Sequence, residues 1–421
     1  MRILHVIQRF WPARGGAEQH LLYLSEHAVA QGHEVTVATT DALDFEYFWS
    51  PERRRVMVAR ESYHGLLVRR FPVRHLPGSP LSYHAVRRLL WLLSRAGTPV
   101  ALLHRLARLT PHVPEMRSWL ADHAPEYDVI AAMTITFEPL VEAALRAARR
   151  AGRPFVLYPL THLGAGPMPG QDALSRFYTM RHQLDLARRS DAIIAQTPTE
   201  ADFLKAHGAG GRIEVVGPGI TPEVLAGGDG SRFRAAHGIT GPMVLALGSM
   251  SEDKGTTHVV EAVHRLWQSG QALSLVLAGA VLDPFRAFLD RLPPDTRQRI
   301  HLLGPIDEAE KRDALAAATL LAMPSRTDSF GIVYLEAWCY GKAVIAARTW
   351  GVMDLIDDGV DGLLVPFGAP EDLATALARL LAEPARAAAM GDRGREKALH
   401  HTWARKGAQV EAVYRALVEA T

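Results

Sequence analysis

The chain has 421 residues, of which 48% are hydrophobic and 22% charged, and its formal net charge at pH 7 is only +2. This length and apolar content are enough for two domains with separate cores, and the near balance of charge does not indicate a nucleic-acid partner. The single cysteine, Cys339, excludes an intrachain disulfide and a cysteine-based zinc site, and we expect it to be a small buried side chain.

The amino-terminal residues predict neither a signal peptide nor a membrane anchor. Arg2 is followed at once by the strand-like run ILHVI, and no uninterrupted apolar run is long enough to cross a bilayer. Together with the single cysteine, which fits a reducing compartment, this predicts a cytoplasmic protein.

Strand-like runs alternate with helix-length segments through the first half of the chain, which is typical of parallel sheets covered by helices. The predicted strands are residues 3–7, 34–39, 67–72, 128–133, 154–158, 192–196 and 213–216. The first strand leads into QRFWPARGGAEQHLLYLS, where Gly15 and Gly16 precede a helix. Backbone amides at such a helix start favour an anion, although a plain glycine turn explains the pair slightly better.

The segment between Glu61 and Glu115 contains no acidic residue. Its eight arginines are Arg69, Arg70, Arg74, Arg87, Arg88, Arg95, Arg105 and Arg108. Apolar residues follow helical spacing at Val86, Leu89, Leu90 and Leu93, and Trp91 and Leu92 widen the apolar surface. Two interpretations stay open: the leucines face the domain core beneath solvated arginines, or the helix makes a peripheral contact with an anionic membrane.

His162 lies in YPLTHLGAG, between a predicted apolar strand and a glycine loop. A histidine at the carboxyl end of a strand is well placed for polar contacts with a ligand. The chain has nineteen histidines, so a structural role for this one is an equal alternative.

The stretch VGPGITPEVLAGGDGSRF, residues 216–233, is rich in Gly and Pro and predicts an interdomain linker. Predicted strands then resume at residues 243–247, 275–278, 300–303, 320–323, 344–347 and 363–366. The expected fold is therefore α/β, with two doubly wound Rossmann-like domains at residues 1–217 and 218–402 that face each other across a cleft. The last segment, 403–420, has helical spacing and could cap either domain.

The second half repeats the glycine layout in LALGSMSEDKGTTHVVEAV, where Gly248 and Ser249 begin a polar loop and Lys254 precedes a helix. A cation at a helix start opposes the helix dipole, which favours a functional lysine aimed at an anion over a merely solvated one.

The stretch PSRTDSFGIVYLEAWCYGKAVIAA places an acid, Glu336, within an apolar helix predicted over residues 332–340, after capping oxygens at Thr327, Asp328 and Ser329. Such a carboxylate is costly unless something binds it, so Glu336 is expected to have a partner. Asp328 and Glu336 would lie about 12 Å apart if their spacing were wholly helical, which suits two ends of one ligand.

Together these features resemble the glycosyltransferases of the GT-B architecture, and specifically the retaining family four, over nearly the whole chain. The most specific match is the pair of acids separated by seven residues in DSFGIVYLE, followed by AWCYGKAVIAARTWGVMDLIDDGVDGLLV. The resemblance implies that Glu336 holds the ribose hydroxyls of a nucleotide sugar and that Asp328 lies beside the donor sugar. It also assigns the intervening Ser329, Phe330 and Gly331 to the substrate site.

The resemblance assigns the diphosphate to the loop of Gly15 and Gly16 and to Lys254, next to Gly248 and Ser249, and the donor sugar to His162. It also implies that the helix at 403–420 crosses back to the first domain. Two residues depart from the family pattern, which usually has Glu at the position of Asp328 and Arg at that of Ser249.

The reaction implied is transfer of a hexose from a nucleotide-diphosphate sugar to a hydroxyl with retention of configuration, with His162, Asp328 and Lys254 as catalytic residues. A UDP-sugar is favoured as donor over GDP-mannose, and a basic, apolar first domain suits a lipid-linked or phosphate-bearing acceptor. No cofactor is implied, and since the chain contains no Asp-x-Asp, no metal bridging the diphosphate is expected. Two alternatives stay open: a sugar-nucleotide epimerase of the same fold, and a sugar-nucleotide-binding subunit that has lost catalysis.

Overall fold

The computed structural model describes residues Met1–Thr421 and divides them into two compact units. The first unit comprises Met1–Thr161, Gly170–Pro218 and Trp403–Thr421, and the second comprises His162–Pro169 and Gly219–Thr402. The division expected after residue 217 lies next to the observed one after Pro218. Residues 162–169 were expected in the first domain. They group instead with the second unit, although the chain on both sides of them belongs to the first.

Eight strands form the sheet of the first unit: β1 (Arg2–Val6), β2 (Glu34–Thr40), β3 (Arg60–Tyr63), β4 (Leu66–Phe71), β5 (Val129–Met133), β6 (Phe155–Tyr158), β7 (Ala192–Ala195) and β8 (Arg212–Val215). Their order is β3-β4-β2-β1-β5-β6-β7-β8, and all neighbours are parallel except β3 and β4. The sequence prediction missed β3, because this short edge strand, RESY, is polar and alternates between exposed and partly buried residues.

Seven helices of the first unit connect these strands: α1 (Gly16–Ala30), α2 (Leu81–Arg95), α3 (Val100–Ala107), α4 (Pro114–His123), α5 (Glu138–Ala151), α6 (Arg181–Arg188) and α7 (Pro198–Ala206). Strands β5, β6 and β7 are buried over their whole length, as expected of parallel strands with both faces covered.

The second unit begins with α8 (Pro222–Leu225) and α9 (Gly230–His237), so the predicted linker is partly helical. Its strands are β9 (Met243–Leu247), β10 (Ser274–Ala278), β11 (Ile300–Gly304), β12 (Leu320–Met323), β13 (Ala343–Ala347) and β14 (Gly362–Val365). Its further helices are α10 (Thr256–Gln268), α11 (Asp283–Asp290), α12 (Pro294–Gln298), α13 (Glu308–Ala317), α14 (Ile332–Cys339), α15 (Pro370–Ala382) and α16 (Pro384–Ala398). The sheet is parallel throughout, in the order β11-β10-β9-β12-β13-β14.

Both sheets are doubly wound. In the second sheet, β10 and β11 lie on one side of β9, and β12, β13 and β14 lie on the other. The strand order therefore reverses between β9 and β12, and such a reversal opens a ligand-binding crevice beyond the carboxyl ends of the two strands. The loops that follow β9 and β12 carry Lys254 and Asp328.

The last helix, α17 (Trp403–Glu419), packs on the first unit. Its Tyr414 hydroxyl lies 3.1 Å from His5 Nε2 and 2.7 Å from the Tyr158 hydroxyl, and all three side chains are buried. Its Glu411 binds His33 Nε2 at 3.0 Å. This polar contact between α17 and two central strands is satisfied internally, as a buried network must be.

The start of α14 differs from the prediction. Gly331 is its N-cap, with a left-handed φ of 93°, and no side chain caps the helix. The expected capping by Thr327, Asp328 and Ser329 was therefore wrong. The separation of about 12 Å expected for Asp328 and Glu336 assumed a continuous helix. That assumption does not hold, because residues 328–331 are not helical. No helix of the structure combines the length and apolar character needed to span a membrane.

Candidate active site

Lys254 and Asp328 meet at the point where the second sheet reverses its strand order. Lys254 Nζ donates to Asp328 Oδ1 over 2.6 Å. The loops approach closely because Gly255 has no side chain: a Cβ there would lie 2.2 Å from the Pro324 carbonyl oxygen, and its φ is 73°. Glycine at 255 thus lets the loop after β9 lie against the loop after β12.

The Lys254–Asp328 pair is largely withdrawn from solvent, with the two side chains 28% and 15% exposed. Burial acts to raise the pKa of Asp328, but attraction to Lys254 and the hydrogen bond from it lower that pKa overall. The second carboxylate oxygen, Oδ2, is buried without a hydrogen-bond partner. A buried acceptor of this kind suits a ligand hydroxyl.

His162 belongs to the same cluster. Burial and, to a smaller extent, the nearby Lys254 cation lower the pKa of His162 to about 4, although the Asp328 carboxylate acts to raise it. Its segment is held by Trp350, whose backbone N–H donates to Gly164 O at 3.1 Å and whose indole N–H donates to Gly166 O at 3.0 Å. His162 is therefore neutral at pH 7 and is fixed beside a cation and an acid.

Glu336 has a partner, as expected of an acid on an apolar helix, but the partner is a residue that the sequence did not reveal. Lys311 Nζ, on α13, donates to Glu336 Oε1 at 2.9 Å and lies 2.7 Å from Glu308 Oε2. The side chains of Lys311 and Glu336 are each only 13% exposed. On the next turn of α14, Cys339 is partly buried, and burial raises the pKa of its thiol to about 11, so this thiol is unreactive at neutral pH.

The other predicted residues of the second unit lie on the same two loops. Gly248 and Ser249 follow β9, and Ser249 is exposed. Ser329 is half-buried, and Gly331 begins α14. The side chain of Phe330, by contrast, is 5% exposed and packs in the hydrophobic core, so only its backbone could reach a ligand.

Gly15 and Gly16 lie in the first unit at the start of α1, where Gly15 is the N-cap. The side chain of Glu18 occupies the space that a Cβ of Gly15 would need, with Oε2 2.3 Å from that position. Glu18 is paired with Arg9 at 3.0 Å. The sequence prediction missed this ion pair, which places an acid and its counter-charge at the expected anion site.

A second pair of charges beside Lys254 also escaped the sequence prediction. Arg326 Nε donates to Asp253 Oδ1 at 2.8 Å, and the guanidinium lies 4.9 Å from the ring centre of Phe367. Arg326 and Asp253 are neighbours of the predicted residues in sequence, which was the one available signal. Their pairing joins the same two loops that Lys254 and Asp328 join.

Two doubly wound sheets, with a cation and an acid at the strand ends of the second and a neutral histidine beside them, are typical of GT-B glycosyltransferases. The fold is similar to that of HepE from Anabaena, solved in complex with UDP-glucose, with a TM-score of 0.72, 21% identity and coverage of 99% of this chain and 100% of that one. It is equally similar to sucrose-phosphate synthase from Thermosynechococcus elongatus, with a TM-score of 0.73, 20% identity and complete coverage of both chains.

Residues 14–224 match the family described as Glycosyltransferase Family 4, and residues 230–397 match Glycosyl transferases group 1. The chain belongs to glycosyltransferase family 4 and is a transferase of the GT-B fold.

Curated relatives agree with this membership. The D-inositol 3-phosphate glycosyltransferase of Nocardiopsis dassonvillei is 30% identical over 290 residues, which are 65% of this chain and 68% of that protein. A GDP-mannose-dependent alpha-(1-6)-phosphatidylinositol monomannoside mannosyltransferase of Mycolicibacterium smegmatis is 30% identical over 227 residues, 50% of this chain and 58% of that protein.

Proposed function

We propose that this glycosyltransferase moves a hexose from a nucleotide-diphosphate sugar to a hydroxyl acceptor with retention of anomeric configuration. A UDP-sugar is the favoured donor and GDP-mannose the alternative. The observation that carries the proposal is the cluster of Lys254, Asp328 and His162 at the strand reversal of the second sheet. HepE, solved with UDP-glucose, supports the UDP-sugar, and the mannosyltransferase relative named for GDP-mannose supports the alternative.

In this proposal Lys254 stabilises the negative charge that develops on the diphosphate as the sugar departs. Fixed charges of this kind usually supply the largest share of catalysis, because they need no reorganisation during the reaction. Lys254 already forms an ion pair in the protein, so the diphosphate would share this cation with Asp328. The assignment of Gly15 and Gly16, at the start of α1, to the diphosphate stays a prediction from the resemblance.

Asp328 and His162 are assigned to the donor sugar. Asp328 Oδ2 has no partner and accepts hydrogen bonds, whereas neutral His162 offers one N–H donor and one acceptor. Near pH 7 Asp328 is ionised and His162 is neutral, so neither group is in the protonated form that a general acid needs. The acceptor hydroxyl is therefore deprotonated by the departing phosphate in this proposal, without an enzymic nucleophile or a metal.

Glu336 is assigned to the ribose of the donor. Its Oε1 is bound by Lys311, and its Oε2 makes no hydrogen bond within the protein. A carboxylate oxygen is a strong acceptor for hydroxyl donors, so Oε2 would take the ribose hydroxyls.

The exposed surface of α2 and α3 supports a lipid-linked or phosphate-bearing acceptor. The interpretation that the apolar residues of the arginine-rich stretch face the core holds for some of them, and the membrane contact stays a prediction. Val86, Leu90 and Leu93 pack towards the core, whereas Leu89 and Leu92 are 44% and 48% exposed. Exposed residues at helical spacing, with Leu102 and Arg105 from α3, form what we call the α2–α3 surface: Leu81, Ala85, Arg88, Leu89, Leu92, Arg95, Leu102 and Arg105.

The positive charge of this region is smaller than the sequence suggested. Arg87 and Arg108 pair with Glu138 and Glu142 of α5, and Arg70 and Arg74 pair with acids at the two ends of the acid-free stretch. The arginines of the α2–α3 surface pair with no acid. We propose that this surface contacts an anionic membrane from the cytoplasmic side, where each arginine adds about 1 kcal/mol of attraction.

Sedimentation with vesicles containing acidic phospholipid tests the membrane contact. The protein should bind at low salt and detach at high salt, because surface charges are screened. Replacing Leu89 and Leu92 with Ser should weaken binding, whereas Leu399→Ser, at an exposed leucine of the second unit, should not. Absence of binding at low salt would leave a water-soluble, phosphate-bearing acceptor as the proposal.

A panel of UDP-, GDP- and ADP-sugars tests the donor. A selective ligand raises the melting temperature by mass action, and release of the nucleoside diphosphate measures turnover. Turnover that persists in EDTA supports the metal-free mechanism. Binding without turnover for every donor would favour the alternative of a binding subunit, and interconversion of the donor sugar would favour an epimerase.

A further inference from the structure

The ion pair between α13 and α14 bears on how the ribose is recognised. Lys311 Nζ contacts one oxygen of Glu336 and one of Glu308, and its side chain is only 13% exposed. Burial would lower the pKa of Lys311, but the carboxylates of Glu336 and Glu308 raise it above its ordinary value. The lysine is therefore a permanent cation that lies between two acids.

The two acids differ in their exposure. Glu308 is 50% exposed and lies one turn before Lys311 on the same helix, so its charge is well solvated and its pairing adds little. Glu336 is 13% exposed and sits on an apolar helix. Removing the counter-charge would leave this partly buried carboxylate unpaired, which favours its rotation towards solvent.

The pairing is one-sided. Lys311 engages Oε1 of Glu336, and Oε2 has no protein partner. A carboxylate held at one oxygen by a buried neighbour presents the other oxygen in a fixed direction. A charged acceptor binds a hydroxyl about twice as strongly as a neutral one.

We propose that Lys311 is a positioning residue for nucleotide recognition, which orients Glu336 so that its free oxygen accepts the ribose hydroxyls. The inference rests on the proposed role of Glu336. It adds a residue that contacts no substrate and acts on the ribose only through Glu336.

The test is the preference of the full-length protein for UDP over 2′,3′-dideoxy-UDP, measured by calorimetry, with GDP and its dideoxy form as a second pair. The wild type should bind the ribose form more tightly by about tenfold or more, and Glu336→Gln should lose most of that preference. Lys311→Met should lose it similarly while leaving the affinity for the dideoxy form unchanged. Lys311→Arg should retain the preference, and Glu308→Gln should behave as wild type.

The outcomes distinguish the positioning role of Lys311 from the ribose-binding role of Glu336. A preference lost in Glu336→Gln but kept in Lys311→Met would overturn the positioning role and leave the ribose assignment intact; the ion pair would then only tie α13 to α14. A preference unchanged in Glu336→Gln would overturn the ribose assignment itself. If Lys311→Met does not fold, Lys311→Gln is used in its place. When either substitution is combined with Glu336→Gln, it should cause no further change in the preference for the ribose form.

Discussion

Replacing Lys254 with Met separates a direct role on the diphosphate from a structural role beside Asp328. The substitution removes a cation that is 28% exposed and hydrogen-bonded over 2.6 Å to a carboxylate that is 15% exposed. Breaking a fully buried pair costs about 3–5 kcal/mol, so about 1–3 kcal/mol of stability is expected for this partly exposed pair. If Lys254 also binds the diphosphate, loss of that charged hydrogen bond should cost a further 1.5–3 kcal/mol of binding, or roughly 10- to 150-fold in affinity.

The assay is calorimetric titration of UDP and of uridine into the wild type, Lys254→Met and the double variant Lys254→Met/Asp328→Asn. The single variant should lose UDP affinity while uridine binding changes little, because uridine has no phosphate. The double variant also removes the carboxylate that the single variant leaves unpaired, so it should recover stability. It should recover UDP affinity only in part, namely the part lost because the unpaired Asp328 repels the diphosphate. Wild-type UDP affinity in the double variant would show that Lys254 merely neutralises Asp328 and would refute the diphosphate assignment.

Four further predictions concern His162, Trp350 and Tyr414. His162→Ala should depress turnover and leave nucleotide affinity nearly intact, which steady-state kinetics and calorimetry measure separately. Because the pKa of His162 falls to about 4 on folding, the wild type should lose up to ~3 kcal/mol of stability as the pH falls from about 6.5 towards 4. His162→Asn lacks this titrating group, so its free energy of unfolding should fall less over the same pH range. Trp350→Phe removes the indole donor to Gly166 and should reduce turnover more than nucleotide binding; equal turnover would show that this bond does not position His162. Tyr414→Phe should destabilise the first unit by about 1–3 kcal/mol in denaturant unfolding, since it leaves the buried Nε2 of His5 without its partner; an unchanged midpoint would contradict the docking role of α17.

The fold was largely predictable from the sequence because its signals are local. Buried parallel strands such as β5 and β12 are short continuous apolar runs, and each was predicted within about one residue. The polar edge strand β3 carries no such signal and was missed. The grouping of residues 162–169 with the second unit could not be predicted either, because it depends on hydrogen bonds from Trp350, almost two hundred residues away.

The candidate site was predicted in its residue types but not in its pairings. Lys254 and Asp328 were both singled out, yet nothing in the sequence indicated that they form an ion pair. A partner for Glu336 was expected on energetic grounds. Lys311 could not be identified as that partner, because α13 contains several other charged residues and nothing in its sequence distinguishes Lys311 from them. Phe330 was assigned to the site from its place in the motif, whereas the packing of the second core buries its side chain.

The central claim is retaining transfer from a nucleotide-diphosphate sugar, and the anomeric configuration of the product tests it most directly. The protein is incubated with α-linked UDP-glucose or GDP-mannose and with a panel of phosphate-bearing hydroxyl acceptors, and the first glycoside formed is observed by proton NMR. The account predicts an α-linked product from at least one donor, and a lower rate for Lys254→Met. A β-linked product would contradict retention, and nucleotide binding with no product from either donor, or from water as acceptor, would contradict catalysis itself.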